Sequence, residues 1–132
     1  MLKQVSKSGW KRMISTMPKP ERGEIWLVRF PFTDFTSEKV RPVLVWVTHG
    51  EDVIVIGIFS RAPASAILRE TWVEISEHTT TFSQTGLKRP SFIKTEKIAV
   101  VHETILLKKV GSLPAEIMEK VARSLKTALL IV

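Results

Sequence analysis

Three apolar runs in close succession constrain this chain most. Ile25–Phe30, Val43–Thr48 and Val53–Phe59 are built mostly from Val, Ile, Leu, Trp and Phe, side chains that suit a pleated, half-buried surface. Only His49-Gly50-Glu51-Asp52 separates the second run from the third, and so short a turn joins antiparallel neighbours. The third run is almost continuously apolar, which implies a strand covered on both faces.

The remainder continues the β pattern and ends in a helix. Residues 61–69 form a connection containing Ala and Pro, and Thr71–Ile75 then alternates, placing Trp72 and Glu74 on one face. Residues 76–90 are polar and read as a long loop. Phe92–Thr95 and Ile98–His102 flank Glu96-Lys97 as one bent strand or two short ones, and Thr104–Val110 is the last strand candidate. Ser112 is a candidate helix cap with Pro114 in the first turn. Ile117, Val121, Leu125 and Ala128 recur at helical spacing, so residues 114–130 form an amphipathic helix. At 132 residues the chain supports one core. The pattern specifies a small, strongly bent, mostly antiparallel sheet of about five to seven strands with a terminal helix.

Charge is unevenly distributed. The net charge is +7, yet Lys3, Lys7, Lys11, Arg12 and Lys19 sit in an acid-free stretch at residues 1–20. The remainder carries 15 basic against 13 acidic side chains, so a nucleic-acid site in the core must come from local clustering. Residues 1–20 read as a basic extension, either a mobile tail or a short amphipathic helix with Trp10, Met13, Ile14 and Met17 on one face. The domain proper is expected over 21–132. With no cysteine, disulfides and thiol nucleophiles are excluded. No segment has the roughly 18 apolar residues that span a bilayer, and a cytoplasmic location is expected.

The histidines, His49, His78 and His102, are widely separated, and no metal-ligand spacing is visible. Nor is there a phosphate-cradling glycine loop or a nucleophile elbow. Chemistry would then fall to Arg, Lys, carboxylate and hydroxyl groups. RNA permits this because its 2′-OH is a built-in nucleophile, needing a base, a charge-stabilising cation and a proton donor for the leaving oxygen. Arg41 stands where the loop 31–40 meets a rigid strand, so its guanidinium fork could hold a phosphate. It could also pair with a carboxylate such as Glu38. Alternation puts Lys94 and Glu96 on one strand face, as an acid/base pair or as a surface ion pair of little energetic weight. Trp26, Trp46 and Trp72 lie inside strand patterns and read as core or interface. Phe32 and Phe35 flank the loop, where an unpaired base could stack. With Lys39 and Arg61 they make up the candidate RNA-binding set.

Gly23-Glu24-Ile25-Trp26-Leu27-Val28, then Asp34, then Arg41-Pro42-Val43-Leu44-Val45 resemble the opening of the MazF/PemK family of toxin endoribonucleases. The resemblance runs from residue 21 to about 130 and implies an SH3-like barrel of the CcdB/MazF/PemK type, mainly β with a C-terminal helix. It implies metal-independent cleavage of single-stranded RNA to 2′,3′-cyclic phosphate and 5′-hydroxyl ends, without a cofactor. It also implies a homodimer, with Val53–Ile58 and the terminal helix as candidate dimer surface, and an acidic cognate antitoxin. In PemK-like toxins a basic residue and an acid two positions later contribute to cleavage. Lys94 and Glu96 match that arrangement, with Lys in place of the usual Arg. Active members commonly end the third strand in Thr; here Phe59 holds that position, and Ser60 would need a one-residue offset to supply the hydroxyl. Two alternatives stay open. One is a degenerate member that binds RNA or an antitoxin without cutting; the other is a CcdB-like gyrase-binding toxin, whose C-terminal determinants Ala128–Val132 lack.

Overall fold

The computed structural model describes residues 18–29, 40–60 and 69–132. Within them the chain forms strands β1 (Glu24–Val28), β2 (Arg41–His49), β3 (Asp52–Phe59), β4 (Trp72–Ile75), β5 (Ser91–His102) and β6 (Leu106–Ser112), then helix α1 (Ala115–Leu129). The sheet has six strands in the order β4-β5-β3-β2-β1-β6, and every pairing is antiparallel. This is the expected architecture of a mainly β domain with a C-terminal helix. The anticipated tail helix, most of loop 31–40 and nearly all of the 61–69 connection lie outside the described residues.

The apolar runs explain the layering. Alternation along β3 sends Ile56 and Ile58 to one face and Val53 and Val55 to the other, and all four are buried. On the first face they join Ile25, Leu44, Val73, Ile75 and Ile93, covered by Ile117, Val121 and Leu125 of α1. The helical spacing of those three residues is therefore the docking stripe of the helix. On the second face Val53 and Val55 join Trp26, Val28, Val43, Val45, Val101 and Leu106. Because β3 is central and buried within one chain, Val53–Ile58 offers no dimer surface, contrary to expectation. The exposed large apolar side chains on described residues include Val100, Leu107, Leu129, Leu130 and Ile131.

Two boundaries differ from the sequence pattern for physical reasons. Ser112 is not the helix cap, because β6 runs on until Ser112 pairs with Glu24 of β1. Its hydroxyl accepts a hydrogen bond from the Gln84 side chain instead. Pro114 takes the cap position, and its carbonyl receives the N–H groups of Ile117 and Met118. The polar 76–90 stretch contains a 3-10 turn at Phe82–Thr85, closed by Gly86 at φ +70°. Any side chain at Gly86 would strike the Val110 backbone. The turn thus packs directly on β6, linking the segment after one edge strand to the other edge.

Glu24 holds the start of β1 in place. Its carboxylate accepts from the Trp26 indole N–H at 2.9 Å and from the Glu21 backbone N–H at 2.8 Å. It also pairs with the Lys109 ammonium on β6 at 2.9 Å. Burial opposes its ionisation, but Lys109, Trp26 and Glu21 outweigh burial and hold the carboxyl below its ordinary value.

Candidate active site

The site follows from an irregularity in β5. Ile56 pairs with Ile98, and two residues later Ile58 pairs with Ile93. Four residues of β5, Lys94-Thr95-Glu96-Lys97, therefore stand opposite the single Gly57. The extra length bends the strand there, as the polar interruption between its apolar halves anticipated. Thr95 turns to the helix side and is fully buried. Its hydroxyl lies 2.6 Å from the Thr71 carbonyl and 3.3 Å from that of Ser124 in α1, and its backbone N–H also donates to Thr71. With Thr95 pinned inward, Lys94 and Glu96 are carried to the other face.

There the two side chains meet Trp72, which pairs with Lys94 across β4 and β5. Glu96 accepts from the Trp72 indole N–H at 2.7 Å, from the Thr71 hydroxyl at 2.8 Å and from Arg69 at 3.4 Å. The Lys94 ammonium lies 4.6 Å from the centre of the Trp72 ring and 4.5 Å from that of Phe59. A cation at such distances is attracted by the negative ring faces. The Phe59 ring fits because position 57 is glycine: a Cβ there would come within 2.7 Å of it. Among the described residues Lys94 has no ion pair, so Lys94 and Glu96 are neighbours through Trp72 rather than a direct salt bridge.

The electrostatics separate the pair. Burial lowers the Lys94 pKa; Glu96 opposes that, while Lys97 and Arg69 add to it, and the net shift is downward. Burial also disfavours the Glu96 carboxylate. The Trp72 indole, its own backbone N–H, the Thr71 hydroxyl and Arg69 outweigh burial, and its pKa is lowered. The result is a firmly ionised carboxylate beside an ammonium whose proton is easier to release than usual.

Arg41 opens β2, partly exposed, with its backbone opposite Val28. Val43 pairs with Gly57, so two residues further along Arg41 reaches the level of Phe59. Alternation puts it on the same face as Val43, Gly57 and Phe59. Among the described residues no hydrogen bond or ion pair engages its guanidinium. Ser60 is exposed and follows the end of β3. Ile58 and Phe59 pair in regular register with Ile93 and Phe92, so the extra residues lie in β5 and no offset in β3 turns Ser60 inward. Phe32, Phe35, Lys39 and Arg61 fall outside the described residues. No three His, Asp or Glu side chains converge among the described residues.

A family model of PemK-like, MazF-like toxins of type II toxin–antitoxin systems matches residues 21–129. The chain belongs to that family. Solved structures of the same fold include an endoribonuclease in complex with its cognate antitoxin from a mycobacterial species, at TM-score 0.65 and 18% identity, covering 86% of this chain and 97% of that one. MazF from Deinococcus radiodurans superposes at TM-score 0.64 and 16% identity, covering 87% and 100%. Toxin MazF-mt6 of Mycobacterium tuberculosis gives TM-score 0.63 and 18% identity, covering 83% and 98%. No curated protein sequence matches it.

In this PemK/MazF-like chain, strand alternation puts Lys94 and Glu96 on one face but does not show what organises them. Trp72 reads as core, yet it is only partly buried and makes polar contacts at its edge and cationic contacts on its face. No local pattern ties Arg69 and Thr71 to Glu96, because the connections span 27 and 25 residues. The available signal was the alternation of Thr71–Ile75, which left Trp72 on the same face as the charged Glu74.

Proposed function

We propose that this chain is the toxin of a type II toxin–antitoxin pair and that it cleaves single-stranded RNA through the 2′-OH. The observation that carries this is the placement of Lys94 and Glu96 around Trp72 on the sheet face opposite the helix, at the end of β3 that Arg41 also reaches. Ionised Glu96 takes the 2′-OH proton as the 2′-oxygen attacks phosphorus. The bond from phosphorus to the 5′-oxygen breaks, and Lys94 donates a proton to that oxygen. Arg41 supplies bidentate charge to the phosphoryl oxygens. The ends formed are a 2′,3′-cyclic phosphate and a 5′-hydroxyl. The three side-chain donors on Glu96 reduce its basicity but secure its ionised form over a wide pH range.

Family membership supports an acidic antitoxin as partner and a homodimer as the working unit. The exposed apolar C-terminal end, Leu129–Val132, suits subunit contact better than β3 does. Phe59 and exposed Ser60 favour a second reading, in which the chain binds RNA or antitoxin but has lost its catalytic hydroxyl. Incubating the purified chain with a long single-stranded RNA in EDTA, then sizing the products and identifying their ends, separates the two. Cleavage with cyclic phosphate ends is expected; intact RNA under conditions where the protein binds it would establish the second reading.

A further inference from the structure

Glu96 and Lys94 both contact Trp72, which offers them different chemistry. Its edge presents one N–H, directed at a Glu96 oxygen 2.7 Å away. Its face presents π density, with the Lys94 ammonium 4.6 Å from the ring centre. The Phe59 ring lies 4.5 Å from that same ammonium, in space left by Gly57. Arg69 stacks at 5.4 Å on the same indole and reaches Glu96 as well. A carboxylate and an ammonium without such a divider tend to collapse into an ion pair, which fixes both charges and leaves neither poised for proton transfer.

We propose that Trp72 is the positioning residue of the site, its indole N–H aiming Glu96 and its ring face, together with the Phe59 ring, seating the Lys94 ammonium apart from the carboxylate. This rests on the nuclease reading for its catalytic consequence but not for its geometry. It assigns Phe59 a role: where the family pattern has a hydroxyl, this chain has the second wall of an ammonium seat. The charged groups that bear on the pair are Arg69 before β4 and Lys97 on β5, with Arg41 at the start of β2 on the same face.

Trp72→Phe keeps a ring and removes the N–H, and Thr71→Val removes the donor to the other Glu96 oxygen. Phe59→Leu removes the second ring beside the ammonium without touching Glu96. Two measurements are made on the full chain: carbon-detected NMR titration of the Glu96 carboxyl, and kcat and KM across pH on one RNA oligonucleotide. Trp72→Phe should raise the Glu96 titration midpoint, move the acid limb of kcat to higher pH and lower kcat about ten- to a hundredfold, with KM nearly unchanged. Thr71→Val should shift the same midpoint in the same direction. Phe59→Leu should lower kcat while leaving the Glu96 titration in place. An unmoved Glu96 midpoint in folded Trp72→Phe overturns the proposal, as does full activity in Phe59→Leu. If the wild-type chain fails to cut RNA while Trp72→Phe still moves the titration, the positioning role stands and the nuclease reading falls.

Discussion

Replacing Phe59 by Thr restores the residue type the family commonly carries at the end of the third strand, and it separates two accounts of this chain. The ring is partly buried at the strand end and in contact range of Lys94. Losing about two thirds of the full burial of a phenyl group costs about 1–2 kcal/mol, and losing a partly exposed cation–π contact costs about 0.5–1 kcal/mol more. Threonine suits a strand, so propensity does not add to the loss. The sum is roughly 1.5–3 kcal/mol, and for a domain of this size about 4 °C per kcal/mol gives a drop in melting temperature of about 6–12 °C. Thermal unfolding followed by circular dichroism reads the stability, and a fluorogenic RNA reads the activity. Phe59→Thr should be both less stable and less active, because the ammonium seat is opened. A variant that keeps its melting temperature and cleaves faster than the wild type would refute this reasoning, and would mark Phe59 as the scar of a lost hydroxyl.

Arg41→Ala should lose roughly 100-fold or more in cleavage rate with an unchanged circular dichroism spectrum, since its side chain lies outside both cores; unchanged cleavage by the folded variant would remove Arg41 from the mechanism. Acid should destabilise the fold through two carboxyls, Glu24 and Glu96, whose pKa values are lowered in the folded chain. Because folding depresses them, their stabilisation is complete above the unfolded-state value and is lost as pH falls through the folded values. Melting temperature plotted against pH should therefore fall through and below the ordinary carboxylate range, and Glu24→Gln should make that fall shallower; an equally steep fall in the variant would show that Glu24 is not the linked group.

Local patterns carried much of the fold because burial in this sheet is written at period two. Val53–Phe59 announces a strand covered on both faces, and Ile117, Val121 and Leu125 announce the helix stripe; the structure has both. The break at Glu96-Lys97 also anticipated a bend, since charged residues cannot continue a strand buried on both sides. What the chain did not disclose is register. That four residues of β5 stand opposite Gly57, and that Trp72 pairs with Lys94, depends on long-range pairing that no window of sequence contains. For the same reason Ser112 read as a helix cap: a serine before a proline-led helix has the right chemistry, but its pairing with Glu24 is a tertiary fact. The candidate site was legible only as separate proposals for Arg41, Lys94 and Glu96. The aromatic seat that relates Lys94 to Glu96 was not.

Cleavage by means of the RNA's own 2′-hydroxyl is decided by a paired substrate. Once a cleavage position has been mapped on a single-stranded RNA, two oligonucleotides are made that differ only in a 2′-deoxy substitution on the nucleotide 5′ to that bond. Both are incubated with the full chain in EDTA. The all-ribose strand should be cleaved to a 2′,3′-cyclic phosphate, and its partner should stay intact at that bond. Equal cleavage of the two strands would contradict this mechanism, since the attacking oxygen would then come from water.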